Sequence, residues 1–116
     1  MAACQDVAPE GEPVEISIET VSFAFDTEVI EGPRHCQPFI INFTNNDVPN
    51  DLGTNKHDID IRAENVLGPL LVDNELVGGP GGNIRYEIPG LPAGEHYFYC
   101  SEHAGVMNGT LIVADE

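Results

Sequence analysis

The stretch "LPAGEHYFYCSEHAGVMNGTLIV", residues 91–113, carries three side chains of types that can bind a metal, close together near the end of the chain. A thiol lies at Cys100, an imidazole at His103 and a thioether at Met107. Apolar and polar residues alternate on both sides of these positions, which predicts two β-strands joined by a loop. A Cys-x2-His-x3-Met loop between two strands can fold its three side chains around one point.

The loop lacks a second strong nitrogen donor, and His57 is the candidate for that role. His57 is distant in sequence and opens the alternating segment "HDIDI" after a loop that contains Asn and Gly. Gly105 and Gly109 are expected to let the loop around the other donors turn tightly. Each of these residue types alone is more often structural, but together one thiolate, one thioether and two imidazoles favour copper.

The rest of the chain predicts an all-β fold. In "VEISIETVSFAFD" the apolar positions change phase between Glu19 and Val21, which predicts a bend or bulge there. His57, Ile59 and Ile61 are expected to share one face of a strand. The sequence predicts seven or eight short strands and therefore a β-sandwich or barrel. The segments with strand character are "VEISIETVSFAFD", "PFIINFTNND", "KHDIDIR", "LLV" (Leu70–Val72), "IRYEIPGL", "EHYFYC" and "NGTLIVADE".

The composition limits the classes of function. A chain of 116 residues forms one domain, and 20 acidic against 4 basic residues give a formal net charge of −16. This charge argues against binding to nucleic acid or to an anionic membrane surface, because both need a basic footprint. It is compatible with a basic protein partner, and the alternative is that the charge serves solubility. No apolar run is long enough to span a bilayer.

The N-terminal residues 1–13 are predicted to form a flexible, acidic linker, followed by one domain over residues 14–116. The sequence Ala-Ala-Cys resembles the end of a bacterial lipoprotein signal, so Cys4 is a candidate for lipid attachment and a membrane tether. The alternatives are an ordinary tail cysteine or a disulfide between Cys4 and Cys36. A second metal site formed by His35, Cys36 and Cys4 is a weaker alternative.

Three stretches resemble the cupredoxins, the small blue copper electron carriers: "FIINFTNND", "HDIDI" and "LPAGEHYFYCSEHAGVMNGTLIV". The resemblance implies a Greek-key β-sandwich of seven or eight strands that binds one copper ion. It implies that His57, Cys100 and His103 bind copper in a trigonal arrangement, with Met107 as the long axial ligand. The implied function is electron transfer by a Cu(II)/Cu(I) couple rather than enzymatic catalysis, because the protein fills every ligand position.

Two residues depart from the family pattern. Asp58 follows the first histidine where the family usually has Asn, and Ser101 is its expected partner across the site. Glu102 lies between Cys100 and His103 where many relatives have proline. Both acids favour Cu(II), so we expect a lower reduction potential than in relatives with Asn and Pro. The three-residue gap before Met107 is intermediate between amicyanin-like and plastocyanin-like loops.

The resemblance also implies how electrons enter and leave. The exposed edge of His103 is the expected electron port, and Leu52, Ala104 and Val106 are candidates for an apolar docking patch around it. We expect a monomer that meets redox proteins with basic surfaces outside the cytoplasm, in the periplasm or at the outer face of a membrane. A copper storage or delivery module is the alternative, and a fold used only for protein contacts is a third. His96 is expected to be a packed or partly exposed histidine far from the metal.

Overall fold

The structure is a computed structural model that describes Cys4, residues 13–48 and residues 55–114. Within these residues the chain is all β, without a helix and hence without a helix that could cross a membrane. The strands are β1 (Val14–Val21), β2 (Ala24–Phe25), β3 (Val29–Glu31), β4 (Phe39–Asn45), β5 (Lys56–His57), β6 (Asp60–Arg62), β7 (Leu70–Val72), β8 (Val77–Gly78), β9 (Gly82–Ile88), β10 (Gly94–Tyr99) and β11 (Asn108–Val113).

Two mixed sheets form the two layers of a sandwich. The first has the order β2-β1-β4-β9 and the second the order β3-β11-β10-β6-β7, while β5 and β8 form a separate ribbon. β1 pairs parallel to β4, β3 pairs parallel to β11, and the other pairs in the described residues are antiparallel. The predicted Greek-key sandwich is confirmed. The eleven described strands exceed the seven or eight predicted because β2, β5 and β8 have only two residues each.

The core lies between the two sheets and follows the period-two pattern of the longer strands. β4 contributes Phe39, Ile41 and Phe43, all buried, and these face Phe98 of β10 and Leu111 of β11 in one cluster. Burial of apolar surface makes the main favourable contribution to the free energy of folding, so this cluster stabilises the sandwich from which the loops extend. The other buried members are Ile18, Ile30, Ile59, Ile61, Val72, Tyr86, Ile88, Leu91 and Val113.

The bend expected between Glu19 and Val21 is wrong in position. β1 runs straight through to Val21, and the chain reverses at Ser22 and Phe23, with φ angles of 55° and 57°. Val21 pairs with Ala24, so the two residues form the turn of a hairpin. Positive φ at both central residues is typical of the type I′ turn, whose twist matches that of the flanking strands. The phase change in the sequence therefore marks a turn and not a bulge.

The segment after His57 is more deeply buried than the predicted one-sided strand. β5 ends at His57, β6 begins at Asp60, and Asp58 and Ile59 lie between the two strands. His57, Ile59 and Ile61, which were expected to share one face, are buried, but Asp58 and Asp60 are buried as well. The two carboxylates tolerate burial because each accepts hydrogen bonds, Asp58 from Ser101 and Asp60 from the main chain of a neighbouring loop.

Cys4 forms a disulfide with Cys36, in the connection between β3 and β4. The disulfide is one of the alternatives left open by the sequence. It leaves neither sulfur free as a thiolate, so the weaker alternative of a metal site with His35 is wrong. The predicted linker falls mostly on residues 1–3 and 5–12, which lie outside the described residues.

Candidate metal centre

Three predicted ligands meet at one end of the sandwich. The Cys100 Sγ atom lies 3.7 Å from His57 Nδ1 and 3.6 Å from His103 Nδ1. The donor atoms of the three residues all lie within 4.8 Å of one another. His57 and Cys100 are fully buried, while His103 is partly exposed. Each histidine therefore presents its Nδ1 atom to the sulfur. His103 belongs to the same loop as Cys100, whereas His57 comes from a distant part of the sequence.

Main-chain hydrogen bonds close the loop that carries Cys100, His103 and Met107. The N–H of His103 donates to the carbonyl of Cys100 at 3.1 Å, and the N–H of Met107 donates to the carbonyl of His103 at 2.8 Å. The N–H of Cys100 then donates to the carbonyl of Met107 at 2.9 Å. The Met107 side chain is fully buried. The two ends of the loop are therefore adjacent, because the main chains of Cys100 and Met107 are hydrogen-bonded to each other.

The two glycines of this loop do not act as expected. Neither Gly105 nor Gly109 has the positive φ angle that would make glycine necessary for a turn. Gly109 lies in β11, where a Cβ atom would come within 2.5 Å of both the Glu28 carbonyl oxygen and the Phe98 ring. Gly109 is therefore needed for close packing beneath the loop, while a Cβ atom on Gly105 would meet open space.

The expected contact between Asp58 and Ser101 is confirmed. The Ser101 N–H donates to Asp58 Oδ1 at 2.7 Å, and the Ser101 hydroxyl donates to Asp58 Oδ2 at 2.6 Å. These bonds join the segment that follows His57 to the residue that follows Cys100. A carboxylate with two short hydrogen bonds fixes the relative position of the two ligand segments.

The environment of Cys100 favours the neutral thiol in the metal-free protein. Burial raises the pKa of Cys100 to about 11, and the nearby Asp58 carboxylate adds to this effect. The backbone N–H groups of Asp58, Glu102 and His103 oppose it by bonding to the sulfur. Burial, followed by the neighbouring His57, lowers the pKa of His103. These shifts favour a protonated Cys100 thiol and a neutral His103 imidazole in the metal-free protein, and the neutral imidazole is the form that binds a metal ion.

Two residues of the site were missed by the sequence interpretation. Asp47, between β4 and β5, is buried and places its Oδ2 atom 2.8 Å from His57 Nε2. Phe23, at the β1–β2 turn, packs edge-on against both His57 and His103, with ring-centroid distances of 5.0 Å and 4.9 Å. In the sequence Asp47 ends the segment "PFIINFTNND", and no local signal distinguishes it from an ordinary polar residue after a strand.

Asn45 and Asn55 hold the segment around Asp47 in place. The Asn45 side chain donates to the carbonyls of Asn55 at 2.6 Å and Val77 at 2.8 Å, and accepts from the Asp47 N–H at 2.9 Å. The Asn55 side chain donates to the carbonyl of Asp47 at 3.1 Å. These bonds position Asp47 and Asn55, the second of which lies two residues before His57.

The remaining predicted residues surround the site or lie apart from it. Val106 is 71% exposed and Ala104 is partly buried on the loop of His103, whereas Leu52 lies outside the described residues. Glu102 is exposed on the same loop. His96 is a packed histidine, as expected, with Nε2 2.7 Å from the carbonyl of Pro92, and it is not part of the donor group.

Comparison with known proteins supports the fold assignment. No protein-family model and no curated protein matches the sequence. Dithionite-reduced auracyanin from Roseiflexus castenholzii is 21% identical over 90% of this chain and 99% of its own, with a TM-score of 0.70. Auracyanin A, a "blue" copper protein from Chloroflexus aurantiacus, is 19% identical over 88% of this chain and 99% of its own, with a TM-score of 0.70.

A part of a larger copper protein is also similar. The copper-containing nitrite reductase of Thermus scotoductus SA-01 is 29% identical over 90% of this chain, with a TM-score of 0.57, but the match covers 23% of that protein. Together these likenesses show that the chain has the cupredoxin fold. The donor chemistry fits a copper ion independently of the likeness, because one thiol and two imidazoles converge, and a buried thioether lies on the loop that carries the thiol.

Proposed function

We propose that this protein carries single electrons through a mononuclear type 1 copper centre. In this proposal His57, Cys100 and His103 are the strong ligands and Met107 is the weak axial ligand. The observation that supports it is the convergence of the Cys100 sulfur with the Nδ1 atoms of two histidines, within 4.8 Å. Two imidazoles and one thiolate, with a long axial methionine, form the ligand set of blue copper electron-transfer sites.

The residues around these ligands suit a site whose charge changes while the positions of its ligands do not. When bound, copper supplies a one-electron couple between Cu(II) and Cu(I). The Asp58–Ser101 bonds brace two ligand segments, and the main-chain bonds between Cys100 and Met107 close the ligand loop. Because these hydrogen bonds hold the ligand segments in place, the ligands move little when the charge changes, which keeps the reorganisation energy for electron transfer low.

The partly exposed His103 is the proposed port for electrons, and Val106 lies exposed beside it. The other two strong ligands, His57 and Cys100, are fully buried and offer no direct contact to a partner. With four protein ligands, the proposed centre keeps no position for a substrate, so we infer a carrier rather than an enzyme. The nitrite reductase likeness does not alter this inference, since the match covers 23% of that protein.

The decisive experiment is to add Cu(II) to the purified protein and record its visible spectrum and voltammogram. An electron carrier should give an intense visible band from the thiolate–copper bond and a reversible one-electron wave. Cys100→Ser should abolish the band, because the hydroxyl cannot replace the thiolate. A colourless complex, or a protein that binds only zinc, would reject the proposal.

A matched pair of histidine variants tests the site assignment. His103→Asn should remove the band or change it strongly, while His35→Asn should leave it unchanged because His35 lies outside the donor group. The alternative, a copper storage or delivery module, predicts copper binding without a reversible wave. The same preparations therefore distinguish the two functions.

We further infer that the protein acts as a monomer outside the cytoplasm, with redox partners that present basic surfaces. The Cys4–Cys36 disulfide supports an oxidising compartment, and the net charge of −16 supports a basic partner. A Cys4 sulfur within this disulfide is not free to carry a lipid, so a membrane tether is not part of the proposal. Oxidation of the reduced protein by the cationic oxidant tris(1,10-phenanthroline)cobalt(III) should slow as salt is added, whereas oxidation by the anionic ferricyanide should speed up.

A further inference from the structure

Asp47 is a buried carboxylate that contacts a proposed ligand from behind. Its Oδ2 atom lies 2.8 Å from Nε2 of His57, and both side chains are almost completely removed from solvent. The main chain of Asp47 is itself fixed, since its N–H donates to Asn45 and its carbonyl accepts from Asn55. Because the main chain is fixed, only rotation of the side chain could turn the carboxylate away from the imidazole, and this would break its buried hydrogen bond to His57.

This contact decides which nitrogen of His57 is free. A carboxylate accepts hydrogen bonds, so the nitrogen that faces Asp47, Nε2, carries the proton. The other nitrogen, Nδ1, then keeps its lone pair and points toward the Cys100 sulfur at 3.7 Å. A carboxylate behind a ligating histidine orients the ring and raises its basicity, and the negative charge also favours the more highly charged metal ion.

Asp47 holds a second element of the site through Phe23. The Phe23 N–H donates to both carboxylate oxygens, at 3.2 Å and 3.0 Å. Phe23 has a φ angle of 57°, in the left-handed region that a bulky residue rarely adopts without support from its surroundings. Its ring lies edge-on to His57 and to His103, at interplanar angles of 83° and 87°. One carboxylate thus orients a ligand and anchors the turn that covers both histidines.

We propose that Asp47 is a positioning residue that selects the metal-binding tautomer of His57, anchors Phe23 over the two histidines and lowers the reduction potential of the centre. The last part rests on the proposed copper function, whereas the first two parts concern the metal-free protein as well. No other carboxylate in the described residues bonds to a ring nitrogen of a proposed ligand. Asp58, the other acid at the site, bonds to Ser101 instead.

The first test uses the metal-free protein and does not depend on copper. Long-range ¹H–¹⁵N NMR of the imidazole rings should show His57 as the Nε2–H tautomer in the wild type. In Asp47→Leu the tautomer should change or become mixed, and the Phe23 amide should exchange its hydrogen at least about tenfold faster. Asp47→Asn, which keeps an acceptor oxygen of the same size, should retain more of both features. An unchanged tautomer and unchanged amide exchange in Asp47→Leu would overturn the positioning role.

The second test uses the copper-loaded protein. Asp47→Asn should shift the ratio of reduced to oxidised protein about tenfold at a fixed potential, which corresponds to a rise of about 59 mV for a one-electron couple. Cu(II) affinity should fall about 10- to 100-fold. Asp47→Glu should recover most of the potential because it restores the charge. Asp26→Asn, an exposed charge removal on the same hairpin, is the matched control and should change little.

The two sets of outcomes separate this inference from the proposed function. If the wild type gives no blue copper centre, the proposed function fails, while the NMR tests still decide whether Asp47 positions His57 and Phe23. If the wild type is blue and Asp47→Asn has the wild-type potential and affinity, the inference about tuning is overturned. If Asp47→Leu does not fold, Asp47→Asn and Asp47→Glu still give both comparisons.

Discussion

At the scale of single residues, Asp58 combines a structural and an electrostatic role. It accepts two hydrogen bonds from Ser101, and its carboxylate lies near enough to Cys100 to raise the pKa of that thiol. An Asn side chain at position 58 can still accept the Ser101 N–H through Oδ1. Replacing the acid therefore changes the charge more than the geometry, which makes position 58 suitable for testing how this chain tunes a metal.

We predict that Asp58→Asn raises the reduction potential of the copper protein. Loss of a nearby negative charge disfavours Cu(II), and a tenfold change in the ratio of the two oxidation states corresponds to about 59 mV. Glu102→Gln should raise the potential less, because Glu102 is exposed and its charge is screened by water. Voltammetry of the two variants measures both shifts. A potential of Asp58→Asn equal to or below that of the wild type would contradict this account.

Asp60 is the buried acid whose ionisation bears on stability. Burial raises the pKa of Asp60 to about 6, and Asp58 and Asp73 add to this, while the Asn74 N–H and Arg62 oppose it. An unfolded Asp has a pKa of about 3.9. Between these values the folded protein binds more protons than the unfolded one. The contribution of Asp60 to the free energy of unfolding therefore falls as the pH rises from about 4 to about 6, and is constant above that range.

Asp60→Asn should remove this part of the pH dependence. Urea unfolding of the wild type and the variant at pH 4.5 and pH 7 gives the comparison. We expect the variant to gain stability relative to the wild type at pH 7 and to gain less at pH 4.5, since the Asn side chain carries no charge to desolvate. General charge repulsion affects both proteins and cancels in the difference. A stability difference that is the same at both pH values would show that Asp60 titrates normally.

At the scale of elements, the long alternating strands and the short β7 (Leu70–Val72) could be predicted from sequence, but the two-residue strands could not be recognised as separate elements. β1, β4, β9, β10 and β11 each have at least six residues, enough for their alternation to be recognised. β2, β5 and β8 have two residues each and exist only because a neighbouring strand bonds to them. The hairpin turn at Ser22 and Phe23 contains neither Gly nor Asn, so the usual signal for a type I′ turn is absent.

Gly109 gives a test at this scale. Gly109→Ala should destabilise the protein by about 1–3 kcal/mol, because its Cβ atom would overlap the Phe98 ring and the Glu28 carbonyl oxygen. Gly105→Ala, on the metal loop itself, should change the stability by less than about 0.5 kcal/mol or increase it slightly. Thermal or urea unfolding measures both. Equal effects of the two substitutions would mean that β11 does not pack as closely against β10 as described.

At the scale of the whole molecule, the disulfide links the N-terminal segment to the sandwich. Cys4 and Cys36 are 32 residues apart in sequence, and closing a loop of this length restricts the unfolded chain. Cys4→Ser should therefore lower the stability by roughly 2–5 kcal/mol. Wild-type protein in a reducing agent should unfold like the variant, which is the control. If Cys4 carried a lipid instead of the disulfide, the intact protein would show an added acyl mass. Cys36 and Cys100 would then both be unpaired thiols.

The sequence by itself determined the all-β class and three of the four proposed ligands, because both depend on local spacing. Alternation has a period of two in any strand, and Cys100, His103 and Met107 lie within one loop. His57 could be chosen because the missing donor had to be an imidazole and the resemblance to cupredoxins indicated its position.

Only the tertiary structure decided what surrounds these ligands. Asp47 meets His57, Phe23 covers both histidines, and Cys4 bonds to Cys36, each through a contact between distant parts of the chain. Gly109 is required by a ring on the neighbouring strand, and burial by other elements raises the pKa of Asp60. The physical reason is common to all of them. Burial and hydrogen-bond partners depend on which strands pair and how the two sheets pack, and local sequence patterns do not predict either.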